Sequence, residues 1–255
     1  MTPLALTASQ VGYTNKAFWR NPAQAFFIFT FPLMFLVIFT ALLGNDNIHI
    51  GPRAIKLSTY YVSQMASFGV ITACFNNVAI SMTFLRQTGV LKRVNGTPMP
   101  SGAYLGARIV HSLFVALLLV LITSVFGKAL YSAEIPGGAT LVKVAVMLVV
   151  GAAAFCALGL ALSSAIPNPD AAPPIVNAAI LPLLFLSGIF IPFGNKTPSW
   201  ILWVARIFPV RHFALGMQAG FLGTPFHWTD VVVVAAWGGF GLLFAIRHFS
   251  WEPKV

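Results

Sequence analysis

Acidic side chains are scarce: the 255 residues include five Asp and Glu, and only 8% of the chain is charged. An ordinary soluble domain carries roughly 25% charged residues, and a chain this size with so few could not cover its surface in water. The same poverty of charge, beside 58% hydrophobic residues, excludes intrinsic disorder. Cysteine is nearly absent. Cys74 and Cys156 both lie in long apolar stretches, where they read as buried small hydrophobes, and two isolated thiols cannot by themselves make a zinc or iron–sulfur site. The histidines at 49, 111, 212, 227 and 248 are scattered, so no metal site is expected.

Catalytic signatures are missing too. There is no GxxxxGK[ST] phosphate loop, no HExxH and no GxSxG, so nucleotide hydrolysis and the common hydrolase chemistries are not expected of this chain. The carboxylates Asp46, Glu134, Asp170, Asp230 and Glu252 fall in loops or at helix ends. A proton-driven carrier ordinarily needs an ionisable group inside the membrane, and no carboxylate is offered there. The first 23 residues lack the charge-then-apolar-then-small pattern of a cleavable signal. No run of Lys and Arg interleaved with aromatics accompanies the pI near 10.1, so nucleic acid is not an expected partner. Basic residues at helix ends meet lipid phosphates instead. No cofactor is expected in this chain.

What is present is apolar length. A spanning helix takes about 20 residues, and mean hydropathy is +0.86. The sequence predicts an all-α integral membrane protein with six transmembrane helices, over 24–43, 57–82, 105–130, 140–165, 172–191 and 229–246. Residues 1–23 place Leu4, Ala8, Val11, Phe18 and Trp19 at helical spacing, as in an interfacial amphipathic helix or a frayed terminus. Between the first two spans a short polar loop is expected through Arg53 and Lys56. The second helix is interrupted by Ser58, Thr59, Gln64, Ser67, Thr72, Asn76 and Asn77, so it should face protein or a cavity rather than lipid. In the fourth, Ala153, Ala157, Ala161 and Ala165 recur every fourth residue, a small-residue face for close packing. Pro182 should kink the fifth. Residues 192–228, rich in Pro, Gly and aromatics, look re-entrant or interfacial. Six spans put both termini on one side, yet Lys and Arg divide eight against seven between the sides, so charge does not orient the chain. The triplets Asn95-Gly96-Thr97 and Asn195-Lys196-Thr197 fit a glycosylation pattern that often arises by chance.

Two segments carry a resemblance. The first is FLRQTGVLKRVNGTP at 84–98, with Arg86, Gly89, Leu91, Lys92, Arg93, Thr97 and Pro98. The second is LSGIFIPFGNKTPSWILWVARIFPVRHFALGM at 186–217, with Ser187, Gly188, Pro192, Pro209, His212 and Phe213. In this order, in a chain of six helices, they resemble the membrane subunits of ABC-2 type exporters, the group containing daunorubicin-resistance-like permeases. The resemblance implies one transmembrane domain over 1–255, with segment 84–98 a cytoplasmic coupling helix docked on a separate ATPase. Independently, Arg86, Lys92 and Arg93 would offer charge-assisted hydrogen bonds to acidic groups, while Gly89 would permit close approach and Thr97-Pro98 would end the helix. A basic loop that merely anchors topology is the alternative.

The resemblance also implies that 193–228 dips into the outer leaflet and caps an exit path, the alternative being a simple folded loop. Arg211 would then lie near outer phosphates or an anionic substrate group. It puts the second and fifth helices at a dimer seam, with Gln64, Ser67, Phe68, Thr72, Asn76, Asn77, Phe185 and Phe190 as substrate-pathway candidates, each equally open to ordinary helix packing. The function implied is export of hydrophobic or amphipathic small molecules, drug- or lipid-like, across the cytoplasmic (inner) membrane with both termini cytoplasmic. Two ATPase subunits holding ATP and Mg2+ would drive it, and a second permease, identical or related, would complete it. A lipid-linked polysaccharide is the alternative substrate. An ATP-independent channel or carrier is the rival mechanism.

Overall fold

The computed structural model describes residues 3–50, 53–193 and 197–253. Helix α1 (Pro3–Trp19) leads through Arg20 and Asn21 into α2 (Pro22–Leu43). Asn21 caps α2, its side-chain oxygen accepting from the Gln24 N–H, with Pro22 in the first turn, where a proline's missing donor costs nothing. A feature absent from the expectation follows. Strands β1 (Asn47–Ile50) and β2 (Arg53–Lys56) pair antiparallel, Asn47 opposite Lys56. The strands have four residues each, too short for alternation to stand out from a polar loop.

The second span is continuous from Leu57 to Gln87, built as α3 (Leu57–Ile71), a π-helical turn (Thr72–Asn76) and α4 (Asn77–Gln87). It thus extends five residues beyond its expected end. Every residue of α3 is buried, as its polar content required. Short α5 (Val90–Asn95) precedes α6 (Ser101–Tyr131), α7 (Ala139–Ala165) and α8 (Ala172–Leu186). Helices α9 (Ser199–Ile207) and α10 (Pro209–Leu222) separate α8 from α11 (Trp228–His248).

Among the described residues, five helices are long and apolar enough to cross a membrane: α2, the 57–87 span, α6, α7 and α11. The sixth, α8, is shorter. Its 15 residues end at Leu186, not at 191. At about 1.5 Å per residue it extends roughly 22 Å, less than a hydrocarbon core of about 30 Å, and the chain continues in turns through Ser187–Phe190.

Two ends follow from the chain path. At one, called here the hairpin end, the side-chain NH2 of Asn45 and the hydroxyl of Ser58 both donate to the Tyr131 carbonyl, and the Glu134 N–H donates to the Thr59 hydroxyl. At the other, Lys92 of α5 pairs with Glu252 at 3.4 Å, and Tyr104 of α6 meets Trp251 edge to face. The chain before α2 and the chain after α11 therefore share the α5 end. The small-residue contact of α7 is real but shifted. Ala157 and Ala161 are buried, whereas Ala153 and Ala165 are exposed. The close approach is to α11, where Gly238 meets Ala154 and Gly241 meets the Ala157–Leu158 backbone.

Candidate functional site: a cavity joined to an exposed basic helix

A cavity of about 740 Å3 lies between α2, the 57–87 span and α8, with Arg108 of α6 at its edge. Its apolar wall includes Phe27, Phe31, Phe68, Ile180 and Leu184. Its polar wall is Asn21, Gln24, Asn76, Asn77, Ser81, Arg108 and Asn177, from positions toward the α5 end of α2, the second span, α6 and α8. No carboxylate lines it among the described residues. The π turn is what aims the second span here. The Asn77 N–H reaches back to the Thr72 carbonyl, the i→i+5 bond of a π-helix, and Thr72 and Asn76 face the cavity. On its other side α7 approaches closely: a Cβ on Gly159 would lie 2.7 Å from the Phe75 carbonyl oxygen. The Gln24 side-chain NH2 donates to the Asn77 side-chain oxygen, while the side-chain oxygen of Asn76 is buried with no hydrogen-bond partner.

Of the expected pathway residues, Phe68, Thr72, Asn76 and Asn77 share this cavity. Phe185 and Phe190 do not line it. Phe190 packs against Phe35, Phe39, Phe68 and Phe185 at ring-centroid distances of 5.0–6.2 Å, one ring beyond the cavity. Gln64 and Ser67 lie apart from it. The Ser67 hydroxyl donates to the Ser63 carbonyl, and the Gln64 side chain reaches Gln218 of α10; these groups are spent on packing inside the protein. Along α3 the second helix is enclosed by its own chain, while Thr72, Asn76, Asn77, Ile80 and Ser81 beyond it are half-buried and Phe84 is exposed. Beside the cavity, α2 (Phe26, Phe27, Met34, Val37) and α8 (Leu181, Phe185) carry exposed apolar side chains, as α6, α7, α9 and α11 do elsewhere on the surface.

Segment 84–98 divides into three parts. Residues 84–87 finish α4. Gly89 then turns the chain with φ +71°, a left-handed conformation that suits glycine, and nothing lies within 4 Å of where its Cβ would be. Its freedom therefore serves the turn and not a close approach. Helix α5 buries Leu91 and exposes Lys92 and Arg93. Thr97 hydrogen-bonds the Val94 carbonyl, and Pro98 is exposed.

Arg86 departs most from expectation. It is 1% exposed, and its guanidinium donates to the carbonyls of Ser163 at 2.8 Å and Ile166 at 2.5 Å. Those carbonyls belong to the last turn of α7 and the residue after it, where helix geometry leaves acceptors unpaired. Arg86 is thus a buried brace between α4 and α7, with no free face for an acidic partner.

Residues 187–222 form a second constellation. Gly188, at φ +88°, gives its carbonyl to the Tyr60 hydroxyl at 2.8 Å. The Ser187 hydroxyl donates to the Leu184 carbonyl, ending α8. Pro192 is exposed, and Gly194, Asn195 and Lys196, the last two being the first two residues of the glycosylation-like triplet, lie outside the described residues. Pro209 opens α10 and is buried. Phe208 just before it stacks on Trp237, about two turns inside α11 from Asp230 near its start. The α9–α10 pair therefore turns back at depth. The Arg211 guanidinium lies 4.5 Å from the centre of the Phe193 ring. His212 is held by Asp230 at 2.6 Å and by the Arg206 carbonyl at 2.9 Å; these bonds outweigh burial and raise its pKa above the ordinary value of 6.5.

The family model for the ABC-2 type transporter matches residues 10–222, from within α1 to the last residue of α10. The chain belongs to the ABC-2 type transporter family. A protein of Porphyra purpurea named "Putative transport permease ycf38" is 24% identical over 228 residues, covering 88% of this chain and 76% of that one. The chain is accordingly a multi-pass membrane protein of transport-permease type, all-α apart from the hairpin. The cavity, the π turn, α5 and the α9–α10 pair all lie within the ABC-2 match.

Sequence reasoning missed Asn21, Gln24, Ser81, Arg108 and Asn177 of the cavity's polar wall. Asn21 lies in the segment read as interfacial, and the other four lie in spans read for their apolar length or for other polar groups. The signal for Arg108 was its place within a spanning helix, where an ionisable side chain is costly and needs a reason. The His212–Asp230 pair had no local signal, because its partners are 18 residues apart on different helices.

Proposed function

We propose that this ABC-2 permease is the membrane half of an ATP-driven exporter. It would move hydrophobic or amphipathic small molecules out across the cytoplasmic membrane, with the α5 end and both termini cytoplasmic. Two copies of a separate ATPase subunit, carrying ATP and Mg2+, would dock on α5. A second permease, the same chain or a relative, would meet the exposed faces of α2 and α8.

One observation carries the reading. Residues 72–95 run from the cavity wall, through α4 and the turn at Thr88–Gly89, to a basic helix at the end of the molecule. Lys92 and Arg93 are exposed there for charge-assisted contacts, while buried Leu91 ties α5 to the bundle. A push on α5 would pass through Gly89 to α4, and Arg86 would make α4 carry the end of α7 with it. The cavity wall facing α2 and α8 would then shift, which is what alternating access needs. The π turn offers a place for the span to yield.

The test is proximity. A photo-crosslinker at Lys92 or Arg93, in membranes of the native host, is expected to capture a phosphate-loop ATPase, and ATP should deplete a hydrophobic dye from vesicles holding both proteins. Capture of no ATPase from either position would remove the exporter reading and leave an ATP-independent channel or carrier.

A further inference from the structure

We infer that the cavity takes an amphiphile with an anionic head, the head at Arg108 and the apolar part along Phe31, Phe68 and Leu184. This rests on the cavity being the transport site, and it names the substrate class.

Among the described residues, Arg108 is the one lysine or arginine that lines the cavity. Its guanidinium donates to the Ser81 hydroxyl at 3.3 Å and the Tyr104 hydroxyl at 3.4 Å, both long for such bonds, and its Nε–H is buried without a partner. Among the described residues no carboxylate lies within ion-pair distance of it. A guanidinium in a spanning helix ordinarily finds a partner charge, and its planar fork fits phosphate, sulfate or carboxylate. Asn21, Gln24 and Asn177 line the same wall and supply neutral amide donors. A cationic head would meet Arg108 with no acid to offset it.

Beyond Arg108, those amides and the polar groups of the second span (Thr72, Asn76, Asn77, Ser81), the lining is apolar and aromatic. A volume of about 740 Å3 is within the usual range of small-molecule sites, about 300–1,000 Å3, and far exceeds what a bare anion fills. Head and tail thus have separate walls.

The test needs only the purified full-length chain in phosphatidylcholine nanodiscs, without any ATPase. Binding of dodecyl phosphate and of dodecyltrimethylammonium, identical in tail and opposite in head charge, is measured by equilibrium dialysis. We expect the phosphate to bind at least tenfold more tightly. Arg108→Gln should remove that preference, and Arg108→Lys should keep most of it. If Arg108→Gln does not fold, Asn177→Asp, an exposed change on the same wall, should weaken the phosphate and strengthen the ammonium. Equal affinity of the two probes in the unaltered protein overturns the inference, as does a preference that survives Arg108→Gln. Competition by inorganic phosphate as strong as by dodecyl phosphate overturns the amphiphile half. Phosphatidylglycerol in the disc that displaces the probe supports the inference with a membrane lipid as cargo; its failure to displace supports a soluble amphiphile. Because ATP plays no part, the head preference can fail while ATP-driven transport stands, and the reverse.

Discussion

At the scale of single residues, two arginines of one basic stretch do opposite things. Both terminal nitrogens of Arg86 hold carbonyls at the end of α7, while its Nε–H is buried without a partner. Removing it strands two acceptors in a buried place, and hydrogen bonds to a charged group contribute about 1.5–3 kcal/mol each. Arg86→Ala should therefore lower stability by roughly 2–4 kcal/mol, seen as a lower unfolding midpoint in detergent, and Arg86→Lys should recover only part because an ammonium cannot fork. Arg93 is exposed, and among the described residues its side chain's one hydrogen bond runs to the Thr88 carbonyl just before α5. Arg93→Glu should leave the unfolding midpoint unchanged while abolishing crosslinking to an ATPase. The sequence offered no way to separate these two. Both sit in one basic stretch, and only the extension of α4 to Gln87 draws Arg86 inside.

Helix contacts at the scale of elements rest on missing side-chain volume and on one buried ion pair. A Cβ at Gly238 would lie 2.7 Å from the Ala154 Cβ and 2.8 Å from its Cα, whereas at Gly239 it would meet nothing within 4 Å. Gly238→Ala should thus cost about 1–3 kcal/mol by forcing α11 off α7, and Gly239→Ala should be near neutral; paired thermal melts distinguish them. The join between α10 and α11 depends on pH. Because His212 has its pKa raised by Asp230, the pair contributes fully below about pH 6.5, the ordinary histidine value, and loses its contribution as pH rises through the raised value. The melting difference between the unaltered protein and His212→Gln should shrink across that rise. A difference independent of pH would mean that the ring acts by packing alone.

Across the whole molecule, hydropathy and polar interruptions made most of the architecture legible. Long spans announce themselves because lipid admits few alternatives, and the polar second span had to be the enclosed one. The hairpin escaped notice because four-residue strands carry little periodic signal. The cavity was half legible: Thr72, Asn76 and Asn77 stood out against their helix, but Gln24 and Arg108 were averaged away by apolar neighbours. Length counting also overran α8, since Ser187 and Gly188 end the helix before the apolar run ends. One further property of the molecule follows from the π turn at 72–76. Such a turn holds one residue more than the α-helical turn it replaces, so it acts as an insertion retained inside a continuous helix. A wide turn advances less per residue than the roughly 100° of an α-helix, so the extra residue is absorbed where it stands, and Arg86 and α5 keep the angular phase of a regular helix one residue shorter. Rewinding 72–76 into plain α-helix without removing a residue would instead rotate everything beyond by about 100° and swing Arg86 away from the end of α7. The wide turn therefore stores a rotation that the span could release without breaking its helix.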